Sequence, residues 1–241
     1  MITIVNLIWG KWPGRKWLWT YHLQRTYLRN FRNAVQKNYS GTFKHVVFTD
    51  RPGTFATSYF RSQENMVFKQ MDGAEKWRGC MPKLIAFKED PDLVGQVFVF
   101  DLDNVITGNI DKILSYDGEF AICSDPLPRR KGLIGGNLSA FPAGSLASIY
   151  HQVAADYSKF AEICQGSERF LLDHLLASGD LPSCEFLQDL YPGQIQSLKF
   201  DLKFESDPPE GMSVLWLHGR PRPHLLKRKG YSKYQDLWQR P

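Results

Sequence analysis

The sequence predicts an α/β sandwich with a largely parallel sheet, and three observations carry that expectation. Short runs of β-branched and aromatic residues alternate with stretches whose apolar residues recur at helical spacing. The run at 97–100, Val-Phe-Val-Phe, offers no polar residue to either face, as a strand buried on both sides of a sheet requires. The chain's 241 residues, 43% hydrophobic and 23% charged, suffice for one full core of this kind.

Taken in order, Ile2–Ile8 reads as the first strand, followed by a Trp/Gly/Pro/Lys loop. Over 18–35, Leu18, Tyr21, Leu28, Phe31 and Val35 share a helical face, with basic residues opposite. Phe43–Thr49 is a second strand closed by the turn Asp50-Arg51-Pro52-Gly53, and 65–69 is a short third. Trp77 to Lys83 leads into a helix with Pro82 in its first turn, ending near Asp90-Pro91. The apolar strand at 97–100 comes next, then a strand at 120–124 and a basic, proline-rich loop at 126–131. Gly132 opens a glycine-rich turn into a strand (132–141), where backbone can approach a ligand closely. A helix is predicted over 145–160. Another starts after Gly166, with Ser167 as N-cap and Phe170, Leu171, Leu172, Leu175 and Leu176 turned inward. The segment 184–204 has no clear period. A last strand at 214–217 runs into His218-Gly219-Arg220-Pro221-Arg222-Pro223, and no domain boundary is evident.

The chemistry concentrates where the strand at 97–100 stops, at Asp101-Leu102-Asp103. Alternation along a strand turns these two carboxylates the same way, at the carboxyl edge where open α/β sheets bind ligands. Like charges side by side need a cation or a shared proton. Hard divalent cations such as Mg²⁺ and Mn²⁺ prefer such oxygens, usually together with substrate phosphates. The plainer alternative is a strand-to-turn junction, where Asp and Asn are ordinary residues.

The formal net charge of +5 suits an anionic substrate and does not argue for nucleic acid. Basic residues thicken toward both ends, among aromatic ones: Trp9, Trp12, Trp17 and Trp19 first, Tyr231, Tyr234 and Trp238 last. That pattern leaves room for a peripheral membrane contact. No apolar run approaches a membrane span, and no positive region precedes the opening MITIVNLIWG, which reads as a strand rather than a secretion signal. Cys80, Cys123, Cys164 and Cys184 form no C-x-x-C pair, so reduced thiols in the cytoplasm are expected.

In sequence order these pieces resemble a GT-A-type nucleotide-sugar glycosyltransferase of the family-8-like kind. The resemblance rests on FDLDNVITGNID as an Asp-x-Asp motif, a Gly-Gly-Asn turn, a Gly-Ser-acid helix start and the late His-Gly-x-Pro-basic-Pro. It implies a single GT-A (Rossmann-like) α/β/α sandwich over residues 1–241, with a mostly parallel mixed sheet. Asp101 and Asp103 would hold Mn²⁺ or Mg²⁺, with His218 as a third ligand. Gly219 and Arg222 would line the diphosphate. Glu168 would face the transferred sugar, Asn137 the donor sugar or the acceptor, and Arg78 and Lys83 the nucleotide phosphates. The chain departs from the family where Lys-Pro-Trp becomes Arg222-Pro223-His224, and where Asp-Gln becomes Glu168. The activity implied is metal-dependent sugar transfer from a nucleoside-diphosphate sugar, a UDP-sugar, to a glycan, lipid or protein acceptor, leaning towards retention.

Each residue has a second reading in the sequence. Arg78 and Lys83 fit solvated helix positions, Glu168 a helix-start acid, Asn137 a turn former, His218 a strand-end histidine, and Asp173 a solvated helix residue. VFVFDLDNVIT also fits the first motif of a haloacid-dehalogenase-type Mg²⁺-dependent phosphatase, with Asp101 as nucleophile and Asp103 as general acid/base. Against that stand the long α/β segment before the motif and the lack of a later acidic pair on a strand. A third reading is a non-catalytic module that kept the fold.

Overall fold

The computed structural model describes residues 1–10, 21–55, 57–130, 132–205, 207–217 and 219–239. The first half holds β1 (Ile2–Ile8), α1 (Tyr21–Asn38), β2 (Phe43–Thr49), α2 (Ser58–Arg61), β3 (Met66–Gln70), a 3-10 helix Met81–Phe87 and β4 (Gln96–Phe100). Then come β5 (Val105–Ile106), α3 (Asp111–Leu114), β6 (Ala121–Ser124), β7 (Ile134–Pro142), α4 (Ala147–Ala155), α5 (Tyr157–Cys164) and α6 (Glu168–Ser178). The chain closes with β8 (Glu185–Phe186), α7 (Leu187–Leu190), β9 (Ile195–Ser197), β10 (Val214–Trp216) and α8 (Ser232–Gln239).

Seven strands form one sheet in the order β3-β2-β1-β4-β7-β6-β8. β3, β2, β1 and β4 run parallel, whereas β7 is antiparallel to both β4 and β6. The sheet is therefore mixed and mostly parallel, as expected. Strand alternation divides its side chains between two cores. Ile4, Ile8, Phe98 and Phe100 face α1 residues Leu28, Phe31 and Val35. Val5, Leu7, Val97 and Val99 face the 3-10 helix and α6, through Leu84, Ile85, Leu171 and Leu172. A second, three-stranded sheet has the order β5-β10-β9.

Two predicted helices differ in detail. The residues after Pro82 form a 3-10 helix, in which Leu84, Ile85, Ala86 and Phe87 are consecutively buried. Burial on every side, rather than along one stripe, removes the amphipathic spacing that an α-helix would show. The helix predicted over 145–160 breaks at Asp156 (φ −136°, ψ 54°) into α4 and α5. Beyond the break, Tyr157 stacks on Trp77, ring centroids 5.4 Å apart. Among the described residues no helix is long and apolar enough to cross a membrane.

A buried polar chain ties the central strands together near the ligand edge. Asn6 Nδ2 donates to the Phe100 carbonyl at 2.9 Å, and His45 Nε2 lies 2.8 Å from Asn6 Oδ1. This fixes the last residue of β4 immediately before Asp101.

Candidate active site

At residue 101 the chain leaves β4 and turns. The Asp101 N–H donates to the Asn137 carbonyl (2.9 Å), and the Asn104 N–H donates to the Asp101 carbonyl (3.1 Å). Strand alternation therefore does not govern the two carboxylates, which is a correction to the sequence reading. They still feel each other, but each takes its own cation. Lys83 Nζ lies 2.6 Å from Asp101 Oδ1, and Arg222 pairs with Asp103 Oδ2.

Lys83 also reaches Glu168, with Nζ 2.9 Å from Oε1. It is thus an enclosed counter-ion between two carboxylates and not a solvated residue. Burial opposes its charge, yet Asp101 and Glu168 hold its pKa well above the ordinary value. For Asp101, burial raises the pKa, Lys83 pulls it down and Asp103 pushes it up; the outcome is a rise to about 6. The side chain nevertheless keeps 30% of its surface open, so water reaches the carboxylate and tempers the burial effect.

Local backbone geometry brings Lys83 and Glu168 together. The Cys80 N–H donates to the Gly166 carbonyl at 2.9 Å, which pins the start of the 3-10 helix beside the start of α6. Gly79 makes this crossing feasible: its φ is +63°, and a Cβ there would lie 2.2 Å from the Gly166 oxygen. Cys80 sits beside Glu168, and burial first, then that carboxylate, push its thiol up to about 12.

Asn137 is the most informative neighbour. It is 2% exposed and lines a recess with Lys83, Asp101, Gly136, Ser139 and Glu168. Neither its Oδ1 nor its Nδ2 has a hydrogen-bond partner. The Cys123 thiol beside it is a weak polar group and does not satisfy the amide. A buried amide orphaned at both ends is expensive unless a ligand meets it. The glycine-rich stretch lies within β7, and the space above Gly136 is taken by Glu168, whose Oε1 would be 2.9 Å from a Cβ.

Asp103 meets the late basic segment through the small sheet. β5 pairs antiparallel with β10, Val105 opposite Leu215, so the chain leaving β10 runs back past the Asp-x-Asp turn. The late segment therefore comes from a second sheet, not from the strand edge that bears Asp101. Gly219 is exposed with φ +71°. His218 lies outside the described residues. Arg78 is exposed, its stem against Gly166, and is not among the residues lining the recess. His224 packs edge-on to Tyr27 (5.8 Å between centroids) and hydrogen-bonds its hydroxyl at 2.6 Å.

The oxygens present suit a divalent cation. Two adjacent carboxylates are hard donors, and the ion pairs engage one oxygen of each, Oδ1 of Asp101 and Oδ2 of Asp103. Among the described residues no cluster of three His, Cys or acidic side chains forms a complete metal site. Further ligands for a cation here would have to come from outside the described residues.

The sequence reading missed a supporting ion-pair network. Asp125, whose side chain is fully buried, accepts from Arg130 (2.7 Å) and Arg169 (3.0 Å). Arg130 also pairs with Asp173 (2.8 Å), which accepts from the Ile134 N–H as well (2.8 Å). Asp173 is therefore no solvated residue; it locks α6 to the start of β7. The charges were visible in the sequence, but only the fold makes them neighbours.

The mixed, mostly parallel sheet with its flanking helices has the α/β fold of solved glycosyltransferases of the GT-A type. The particular likenesses are to two enzymes. The chain superposes on galactosyltransferase LgtC, solved with donor and acceptor sugar analogs, with a TM-score of 0.66 at 10% identity, covering 98% of this chain and 95% of that one. Glycosyltransferase GlyE of Streptococcus pneumoniae TIGR4 matches with a TM-score of 0.62 at 13% identity, over 97% of this chain and 60% of its own. No family model and no curated protein sequence matches the chain. The likeness is thus one of fold.

Proposed function

We propose that this chain is a glycosyltransferase, acting as one domain, that moves a sugar from a UDP-sugar or similar nucleoside-diphosphate sugar to a glycan, lipid or protein acceptor. The observation that carries the reading is the orphaned Asn137 amide, lining one recess with Lys83, Asp101 and Glu168 on this fold. A sugar's hydroxyl groups offer both a donor and an acceptor, which is what that amide lacks.

In transfer, the bond between the anomeric carbon and the diphosphate oxygen breaks, and an acceptor oxygen bonds to that carbon while its proton passes to the departing diphosphate. Arg222 binds the departing diphosphate, where a guanidinium can contact two oxygens at once. Lys83 keeps Asp101 and Glu168 in place and moderates their negative charge. Glu168 and Asn137 hold the sugar and support the positive charge developing on its ring. Mn²⁺ or Mg²⁺ on Asp101 and Asp103, with His218 as the third ligand the resemblance implies, would supply Lewis-acid stabilisation of the leaving group. Gly219 and Arg78 belong to the same reading as diphosphate-side residues, and retention is the stereochemical outcome it favours. The exposed run Lys227-Arg228-Lys229 is the surface on which an anionic membrane would be met.

The phosphatase alternative gains no support, since β1, β2 and β3 precede β4 in the same sheet, whereas the phosphatase motif opens its fold. One assay separates the two. A panel of nucleotide-sugars with Mn²⁺ should release nucleoside diphosphate, while a generic phosphate ester should remain intact. Ester hydrolysis without nucleotide-sugar turnover would reverse the assignment.

A further inference from the structure

We propose that Tyr27 and His224 are positioning residues for Arg222: their hydrogen bond anchors the C-terminal segment to α1 so that the guanidinium is held at the diphosphate end of the site. The inference rests on the reading of Arg222 as a diphosphate contact.

Three observations support it. Tyr27 is fully buried in α1, between the His224 ring and the Trp238 ring of α8, the latter 5.0 Å away at 69°. Its hydroxyl lies 2.6 Å from His224 Nδ1. Protonation of His224 is disfavoured by burial, then by Arg222 and Arg228, so Nδ1 of a neutral ring accepts from the Tyr27 O–H. His224 is only two residues beyond Arg222, with buried Pro223 between them, and the Leu225 N–H donates to the Arg222 carbonyl at 2.8 Å. The backbone of Arg222 is therefore fixed from the side of Tyr27. The same hydroxyl feels the ion pair: its ionisation is disfavoured by burial, further by Asp103, and eased by the His224 backbone and then by Arg222.

The physical need is plain. Arginine carries several rotatable bonds, and the Arg222 side chain is 37% exposed. A bidentate contact demands a defined fork direction, so an anchored backbone removes freedom that binding would otherwise have to quench. Here the anchor is a polar pair, where the family's tryptophan offers only an indole.

The test is a double-mutant cycle read by titration calorimetry with magnesium pyrophosphate, which needs no knowledge of the nucleotide base. Tyr27→Phe keeps the ring and loses only the hydroxyl; it should weaken binding about three- to tenfold. Arg222→Ala should weaken it by tenfold or more, and the double variant should bind no worse than Arg222→Ala alone. His224→Phe should reproduce Tyr27→Phe, while His224→Asn, which restores an acceptor near Nδ1, should recover part of the loss. A purely structural role for Tyr27 predicts losses that add in the double variant. Additive losses, or wild-type affinity in both Tyr27→Phe and His224→Phe beside a weakened Arg222→Ala, overturn the positioning role alone. No pyrophosphate binding by the wild type, or unchanged affinity in Arg222→Ala, overturns the diphosphate reading and this inference with it.

Discussion

Lys83 is the enclosed counter-ion of Asp101: the two meet at 2.6 Å, and Glu168 closes the other side of the ammonium at 2.9 Å. The 3-10 helix, the end of β4 and the start of α6 thus share one charge cluster. Its balance bears on stability and, under the proposed function, on substrate binding.

Removing Lys83 leaves two carboxylates without their common cation. Lys83→Ala should lower the unfolding free energy by about 3 kcal/mol, the lower part of the range for breaking a buried pair, because Asp101 keeps some solvent contact. Lys83→Arg should recover part of that. Urea denaturation at neutral pH reads it, and a loss below about 1 kcal/mol would mark the pair as effectively solvated.

On the proposed metal-site reading, Arg222 and a divalent cation would compete for Asp103. Arg222→Ala should therefore have opposite effects on two ligands. Nucleoside diphosphate should bind about ten- to a hundredfold more weakly, for one lost charge-assisted contact. Mn²⁺ alone should bind more tightly, followed by electron paramagnetic resonance without nucleotide. Mn²⁺ affinity that falls together with nucleotide affinity would refute the competition. In the wild type, turnover of the nucleotide-sugar should stop in excess EDTA and return on adding Mn²⁺.

Gly136 guards the space of Glu168. Its φ is +87°, and a Cβ would approach Glu168 Oε1 to 2.9 Å. Gly136→Ala combines a left-handed backbone cost of about 1–2 kcal/mol with displacement of that carboxylate. Transfer should drop by more than tenfold while the protein still folds, read by initial rates beside a melting curve. Normal rates would separate Glu168 from the chemistry.

His45 sets an acid limit on stability. It is fully buried, its Nδ1 has no partner, and burial first, then Arg32, lower its pKa from 6.5 to about 3. Between these values the unfolded chain takes a proton that the folded one refuses. Stability is therefore intact above pH 6.5 and falls as pH drops toward 3, by about 1.4 kcal/mol per unit from this group. His45→Gln should flatten that slope between pH 6 and 5 in denaturant titrations; an unchanged slope would assign the acid sensitivity elsewhere.

The sequence by itself determined the α/β class, the bounds of β1 and β2, the position of β4 and the carboxylates at its end. These features are local: apolar runs of strand length, turn residues after them, and acids at a strand terminus can be read without knowing what packs against what. It also carried the motif order on which the family resemblance rests, since that order is a property of the chain alone. The break at Asp156 and the 3-10 form of Met81–Phe87 were illegible because packing, not propensity, chose them. Only the tertiary structure decided which cation serves which acid. Lys83 reached Asp101 because Gly79 lets the chain cross Gly166, and Arg222 reached Asp103 because β10 pairs with β5 in a second sheet. Tyr27 and His224, or Asp125 and Arg169, carry no mark of partnership in the sequence. Charge pairing and burial act over ångströms in space, and only the closed fold converts distant positions into neighbours.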